Sequence, residues 1–430
     1  MLLEFRVGNY LSINKQIMFS MQSAGAIKES AEENTFTSGR YNLLKSAAFY
    51  GPNASGKSNI LSALGFMRSF VINSSKATQV NDEINIQPFF HNVLKEGEPS
   101  FFEMVFLIKD LKYRYGFEIT RTKVISEWLY NSVKIKEYPL FLRVENKIKT
   151  MKGFEEGEKL DSKTRENALF LSVVAQFNGK IAKEIIKWFR SFNVISGIKD
   201  NAYGTITIKM LKGEHKEKLL AFIQKADLGI DDIVINESDF IPGKLPENFP
   251  FIIKKEYQDK FKQTDISSKK KIFNEIGEVQ GTEIFDFESE SEGTKKFFNL
   301  SGPVFDTLLN GRILVIDEFE ARLHPVLSKA IIKLFNSKET NPQNAQLIFA
   351  THDVTILSSR LLRRDQIWFV EKDKCGASNI YSLSDYKLPK GKVRNDEAYT
   401  ANYIKGRYGA LPSLGNFNDF AKELLWPKTK

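Results

Sequence analysis

One cysteine, Cys375, and four histidines stand in a chain of 430 residues. A lone cysteine excludes a disulfide scaffold and a cysteine-based metal cage. No apolar run approaches the ~18 residues needed to cross a bilayer, which excludes an integral membrane protein. The opening Met1-Leu-Leu-Glu-Phe-Arg has an acid at position 4 and no apolar h-region, so it does not read as a signal peptide. The cytoplasm, where thiols stay reduced, is the expected location. There is no internal repeat, and no heptad pattern outlasts a turn or two, which excludes a solenoid and a long coiled coil. Hydrophobic residues at 42% and charged residues at 27% exclude global disorder. The length suits one large domain with insertions, or two domains.

Charge of one sign is concentrated rather than abundant. The net charge is +9, and residues 360–430 hold 14 Lys/Arg against 8 Asp/Glu. The acids are interleaved with the bases, so a solvated lysine-rich surface accounts for this stretch. Nucleic acid or an acidic partner is the alternative.

Hydrophobic patterning divides the chain. Leu3, Phe5 and Val7, then Ile13, Ile17 and Phe19, alternate with polar residues, as strands of a half-covered antiparallel sheet do. Phe102 to Ile108 and Tyr113 to Ile119 repeat that alternation around a polar turn, Lys109 to Lys112, and predict a hairpin. Residues 43–50 predict a short buried strand, 60–70 an amphipathic helix, 145–165 a surface loop, and 166–192 and 214–226 helices. Ile313–Ile316, Gln346–Ala350 and Ile367–Val370 are continuous apolar runs alternating with helical patterns, the mark of a parallel sheet covered on both faces. The expected organisation is therefore α/β. Residues 1–194 form the first part of a core, 195–283 an inserted helical lid or arm carrying Lys254-Lys255 and Lys269-Lys270-Lys271, and 284–430 the second part of the core.

Gly51-Pro52-Asn53-Ala54-Ser55-Gly56-Lys57-Ser58 fits G-x-x-x-x-G-K-S, between a buried strand and a helix. The glycines let successive amides turn inward around phosphate oxygens, and the helix N-terminus favours anions. Asn53, Ala54, Ser55, Gly56, Lys57, Ser58 and Asn59 are the expected nucleotide contacts. Lys57 would reach the β- and γ-phosphates, and Ser58 would ligate Mg²⁺. Asp317-Glu318 closes the apolar run at 313–316. Asp317 would hold Mg²⁺ through water, and Glu318 would act as general base toward the attacking water. His352 follows the next apolar strand and would sense the γ-phosphate. Ser291 and Gly293, 26 residues and fewer before Asp317, open a helix and form a second anion site.

In that order, Gly51–Ser58, Ser291–Thr294, Asp317-Glu318 and His352 resemble the head of an ABC-type ATPase. The implied fold is an ABC-type P-loop head: a mixed parallel sheet, an antiparallel β layer and the inserted arm. Asn9-Tyr10-Leu11-Ser12 resembles the first-strand motif of SMC, RecF and OLD-like heads. Glu290 to Thr294, Glu318-Phe319-Glu320 with Leu323-His324-Pro325, and Arg407-Tyr408-Gly409-Ala410 resemble the stand-alone ATPases of bacterial abortive-infection and anti-phage systems, of the AbiL and PARIS types. The resemblance implies ATP with Mg²⁺, ATP hydrolysis, and a homodimer or higher assembly. It also implies a separately encoded effector such as a Toprim-like nuclease, and no membrane. Glu318 and His352 carry the implied catalysis, and Ser291 and Gly293 are implied to meet the ATP of another copy.

Departures from the pattern accompany the match. Glu290 and Glu292 replace the usual Leu and first Gly of the signature and set two carboxylates by a phosphate site, to be offset by Lys295 or Lys296. Gln87, thirty residues after Lys57, is the only candidate for the glutamine that would add a Mg²⁺ contact. Phe319-Glu320-Ala321-Arg322 lacks the usual residues of the loop after the paired acids. The 78 residues beyond His352 hold no Toprim metal set, so any nuclease activity belongs to a partner. The rival readings are a RecF- or SMC-like DNA-repair ATPase binding nucleic acid directly, and a platform that binds nucleotide without turnover. A transporter ATPase fits least.

Overall fold

The computed structural model describes residues 1–76, 79–89, 97–199, 201–239, 262–388, 391–394 and 397–412. The N-terminal third builds a seven-stranded antiparallel sheet. Its strands are β1 (Leu2–Gly8), β2 (Ile17–Ser20), β6 (Ser100–Ile108), β7 (Leu111–Ile119), β8 (Val124–Ser132), β9 (Tyr138–Val144) and β10 (Lys147–Thr150), in the order β10-β9-β8-β7-β6-β1-β2. The expected hairpin is β6–β7. Phe102, Met104 and Phe106 stand opposite Phe117, Tyr115 and Tyr113, and all six are buried. Lys109, at φ 56°, supplies the left-handed residue that a tight hairpin turn requires. The loop expected at 145–165 contributes β10, which pairs back on β9. A short helix α1 (Ala31–Asn34) and the hairpin β3 (Thr35–Ser38) and β4 (Tyr41–Leu44) lead into the second sheet.

That sheet has six strands in the order β11-β15-β16-β5-β17-β18. They are β5 (Ser46–Tyr50), β11 (Phe192–Ser196), β15 (Ile313–Asp317), β16 (Gln346–Ala350), β17 (Ile367–Lys372) and β18 (Ser378–Ser382). All neighbours are parallel except β17 and β18. β5 and β16 are buried at every residue, as continuous apolar runs demand. Helix α2 (Lys57–Asn73) follows β5, and α7 (Glu292–Asn310) and α8 (Pro325–Asn336) flank β15 in sequence. The architecture is thus mixed α/β, a largely parallel sheet beside an antiparallel one.

Polar side chains join the layers. Gln346 Oε1 accepts from the Leu2 amide at 2.7 Å, and its Nε2 donates to the carbonyls of Leu2 and Leu44 at 3.1 and 3.2 Å. Glu127, fully buried on β8, accepts from Tyr115 Oη and from the amides of Phe170 and Leu171 at 2.8, 2.7 and 3.0 Å. It thereby caps α3 (Phe170–Gln176), whose own N-cap residue, Leu169, has no side chain for the task.

Two sequence expectations need correction. The helix expected over 166–192 is two helices, α3 and α4 (Lys180–Arg190), broken at Asn178-Gly179, where Asn178 sits at φ 68°. The 195–283 segment is not all helical, and a boundary at 195 cuts β11. After α5 (Asn201–Leu211) and α6 (Lys216–Gln224) come β12 (Asp232–Asp239), β13 (Lys262–Phe273) and β14 (Val279–Asp286), a separate antiparallel sheet in the order β12-β13-β14. β14 is exposed along nearly its whole length, so it lacks the apolar alternation by which strands are found. Lys269 to Lys271 lie on β13, while Lys254 and Lys255 and the end of the basic tail lie outside the described residues. Helix α9 (Tyr399–Ile404) leads into Arg407–Ala410, whose Tyr408 is buried against β17 and β18.

Candidate functional site

β5 ends at Tyr50 and the chain turns at once. A Cβ on Gly51 would lie 2.3 Å from the Val370 carbonyl oxygen, so no larger residue fits. Gly56 takes φ 106°, and a Cβ there would lie 2.0 Å from Ser378 Oγ and 2.7 Å from Ser12 Oγ. The loop is pressed against residues from both ends of the chain. Ser378 Oγ donates to the Ser55 carbonyl at 2.6 Å and lies 2.7 Å from Ser12 Oγ; Asn59 Nδ2 donates to Ser12 Oγ at 2.6 Å. This contact explains Asn9–Ser12: Asn9 and Leu11 adopt φ 49° and 50°, a tight turn that carries Ser12 to the loop. At the start of α2 the amides of Lys57 and Ser58 have no acceptor within the helix, which makes that end an anion site.

At the C-terminal edge of the parallel strands lies a cleft of 570 Å³. Asn53 to Asn59, Asp317, Glu318, Ala350, His352 and Lys372 line it. Every expected residue of the phosphate loop, the paired acids and the histidine therefore meets in one place. Lys372, at the end of β17, is an additional cation that the sequence does not single out, because nothing in its local pattern sets it apart from other surface lysines.

Lys57 is 5% exposed, and its Nζ donates to the carbonyls of Gly51 and Pro52 at 2.8 and 3.0 Å. Burial pushes its ammonium down to about 8, against the upward pull of Asp317, Glu320 and Glu318. Burial, with the neighbouring Asp317 and Glu320 carboxylates, raises the Glu318 carboxyl above the usual range, while Lys57 pulls it down. A raised carboxyl is a better proton acceptor. Burial and Lys57 lower the His352 imidazole, so that it is neutral at pH 7. Glu318 has φ 51°, a costly conformation for a residue with a side chain. Glu320 is a further participant: its Oε1 accepts from the His352 amide at 2.5 Å, tying the turn after β15 to the turn after β16.

Mg²⁺ fits this donor set through a nucleotide, not through a protein cage: among the described residues, no three His, Cys, Asp or Glu gather as metal ligands. Asp317 Oδ1 and Ser55 Oγ are buried without a hydrogen-bond partner among the described residues. Such atoms are costly unless a ligand or ion meets them. Ser58 and Asp317 would hold the ion, which, when bound, neutralises phosphate charge.

Ser291, Gly293 and Gln87 are not among the residues lining the cleft. The Gln87 side chain is exposed, and its carbonyl accepts from the Leu11 amide at 2.8 Å. Ser291 is exposed and caps α7, accepting from the Thr294 amide at 3.1 Å. The expected offset of Glu290 and Glu292 is met in part by Lys295, beside Glu292, and otherwise by other cations. Lys270 of β13 lies 2.8 Å from the Glu290 carboxylate, and Glu292 pairs with Arg322 at 2.7 Å as well as with Lys295 at 3.7 Å. Lys296 turns inward, fully buried, and donates to the Gly197 carbonyl at 2.5 Å and to Tyr203 Oη at 2.8 Å.

These contacts bolt the start of α7 to the paired acids. Gly197 donates its amide to the Asp317 carbonyl at 2.6 Å, and Arg322 reaches the Ile198 carbonyl at 2.6 Å while holding Glu292. Within one chain, then, Ser291 is set at a fixed position relative to Asp317 and Glu318 by residues 197 and 198.

The sequence from 46 to 358 matches the protein family described as "AAA domain, putative AbiEii toxin, Type IV TA system". The chain belongs to this family. No curated protein matches it. Among solved structures, an SMC head bound to the C-winged helix domain of ScpA is similar at 13% identity, covering 90% of this chain and 98% of that one, with a TM-score of 0.36. CbiO1 from Clostridium perfringens, part of the ABC transporter complex cbiONQ, is similar at 12% identity, covering 85% and 87%, with a TM-score of 0.29. Neither overlay is close enough for any residue's role to be carried across. Among the described residues, no helix is long and apolar enough to cross a membrane.

Two expected outcomes arise from this geometry. With the free Lys57 ammonium at about 8 and a polyphosphate holding it protonated, ATP affinity falls by about ten-fold per pH unit above that value, with proton uptake on binding. Calorimetry at pH 9 in two buffers of different ionisation enthalpy measures the uptake; a flat affinity between pH 7 and pH 9.5 contradicts it. Gly197→Ala puts a Cβ 2.0 Å from the Glu318 carbonyl oxygen and 2.7 Å from that of Asp317, where only backbone can yield. ATP hydrolysis should drop by more than about ten-fold with ATP affinity nearly kept, a split that kcat and Kd report.

Proposed function

We propose that the chain is an ABC-type ATPase that hydrolyses ATP, and that two copies enclose two nucleotides between them. In this reading the closed and open states hold or release a separately encoded effector, a nuclease, in an anti-phage system of the AbiL or PARIS kind. The family's description, which names an abortive-infection toxin, supports the defence setting. Glu318 takes a proton from the attacking water, neutral His352 meets the γ-phosphate, and Lys57 and the loop amides hold the phosphates.

One observation carries the proposal. Lys57, Ser58, Asp317, Glu318 and His352 line one cleft, whereas Ser291 and Gly293 stand exposed or half-exposed outside it. A helix start with its cap in place and its first amides open is an anion site without an anion of its own. A second copy, paired two-fold, supplies one and creates two equivalent shared sites.

The test mixes two inactive chains. Lys57→Ala removes the phosphate-loop cation, and Ser291→Arg blocks the helix start. In a mixed dimer one site carries both lesions and the other none, so hydrolysis should partly return. An ATP-dependent crosslink between Ser291→Cys and Ala54→Cys, the exposed neighbour of buried Ser55, in Glu318→Gln chains checks the same contact directly. A mixture that stays inactive, with no such crosslink, rejects the shared site.

A further inference from the structure

Helix α4 carries Lys180, Lys183, Lys187 and Arg190, spaced three, four and three residues apart, which places them on one stripe. All four are exposed, while Ala182, Ile185, Ile186, Trp188 and Phe189 bury the opposite side. Beside the stripe lies a cleft of 300 Å³, to which Lys76, Ser172 and Gln176 add polar groups and Ile72 and Ile186 an apolar floor. No carboxylate lines it. The nearest acids, Glu156 before this helix and Glu184 on it, have other partners. Glu156 accepts from the amides of Ile181 and Ala182 at 3.0 and 2.9 Å, and Glu184 lies 3.8 Å from Lys109. Among the described residues, none of Lys76, Lys180, Lys183, Lys187 and Arg190 forms an ion pair. One turn before Ile72 on α2, Arg68 keeps its Nε buried with no hydrogen-bond partner among the described residues.

Like charges three and four residues apart on a helix repel one another, and Glu184, four residues after Lys180 and three before Lys187, is the one acid beside them on α4. We propose that the cleft and stripe form a second anion site, separate from the nucleotide cleft, for a ligand bearing several phosphate groups. The two clefts share no lining residue, and they lie toward opposite ends of α2, about 25 Å apart along its axis. The stripe spans about 15 Å along α4, longer than one phosphate needs and suited to successive phosphates of one strand. The apolar floor gives a base or ring a surface to lie on. The chemistry recognised is closely spaced phosphates, whether on a nucleic-acid strand or on a free polyphosphate.

Fluorescence anisotropy tests this on the full-length Lys57→Ala chain, whose nucleotide cleft lacks its phosphate-loop cation and so does not report. The probes are a labelled single-stranded oligonucleotide of about 12 residues, followed by anisotropy, and inorganic tripolyphosphate, followed separately by calorimetry. Lys183→Glu with Lys187→Glu should weaken oligonucleotide binding by more than about ten-fold. The slope of log affinity against log salt should become shallower by about 0.7 for each phosphate no longer neutralised. Lys76→Glu, which leaves α4 untouched, should weaken binding in the same direction. Lys134→Glu with Lys136→Glu, exposed on the turn after β8, makes the same charge change and should leave binding intact. If tripolyphosphate binds and the oligonucleotide does not, the site is one for a free phosphorylated molecule. The proposal is overturned if neither probe binds at low salt, or if the turn variant loses as much as the cleft variants. This outcome is independent of whether the shared-site ATPase reading holds.

Discussion

Glu318→Gln should bind ATP and turn it over about 10²–10⁴-fold more slowly, the usual cost of removing a general base. The glutamine keeps the size of the side chain and its place at the end of β15, but it cannot take a proton from water. The position is strained, at φ 51°, and braced by the Gly197 backbone on one side and the Ala321 amide on the other, so the exchange leaves the turn intact. Glu320 stands nearby, yet it is not among the residues lining the cleft, and its Oε1 accepts from the His352 amide. Single-turnover hydrolysis separates the chemical step from product release. A rate within a few-fold of wild type would remove Glu318 from the role of base. The acid limb of the wild-type rate should fall at a pH above the ordinary glutamate value, because burial, Asp317 and Glu320 all raise that carboxyl.

Lys57→Ala should weaken ATP binding by about 10²-fold or more, as truncating one partner of a buried charge pair does. In the free protein, the ammonium's hydrogen bonds are to two loop carbonyls, at 2.8 and 3.0 Å. Removing it therefore costs the fold little. The cost falls on the complex, where Lys57 is the loop's single cation beside the phosphates. Calorimetry on the folded variant measures it, and retained wild-type affinity would sink the phosphate-loop assignment. Lys372 is the one other cation lining the cleft, and Lys372→Ala offers a comparison expected to be milder because that side chain is exposed.

Much of this site is legible in the sequence because of how parallel strands are buried. Covered on both faces, β15 and β16 write apolar runs, and the polar residues that follow them, Asp317 and, after Thr351, His352, emerge at the same edge of the sheet. The loop glycines are legible for a similar reason, since Gly51 and Gly56 have no space for a Cβ. Ser12 and Ser378 are not legible as its supports: two serines more than three hundred residues apart carry no local signal, and only the fold brings their hydroxyls to 2.7 Å. Lys296 reads as a surface partner for Glu292 and is instead buried on Gly197, because helical phase alone does not say what lies beneath a side chain. The β12–β14 sheet escapes notice because β14 is exposed along nearly its whole length and its apolar residues, Val279, Ile284 and Phe285, do not alternate with polar ones.

The central place of β5 has a consequence for how the chain is made. Its two neighbours, β16 and β17, begin at residues 346 and 367, roughly three hundred residues after β5 leaves the ribosome. At about 5–20 residues per second, that interval is about 15–60 s. Throughout it the apolar Ser46–Tyr50 segment has no partner on either edge, and the phosphate loop lacks Ser378 to press against it. A nascent chain is therefore blind to ATP until β16, β17 and Ser378 have been translated, and chains that stop before then expose a strand that other unfinished chains can pair with. Nucleotide capture thus waits on strands made roughly three hundred residues after β5, and slowing growth or supplying chaperones should raise the yield of competent protein more than it would for a fold closed by near neighbours.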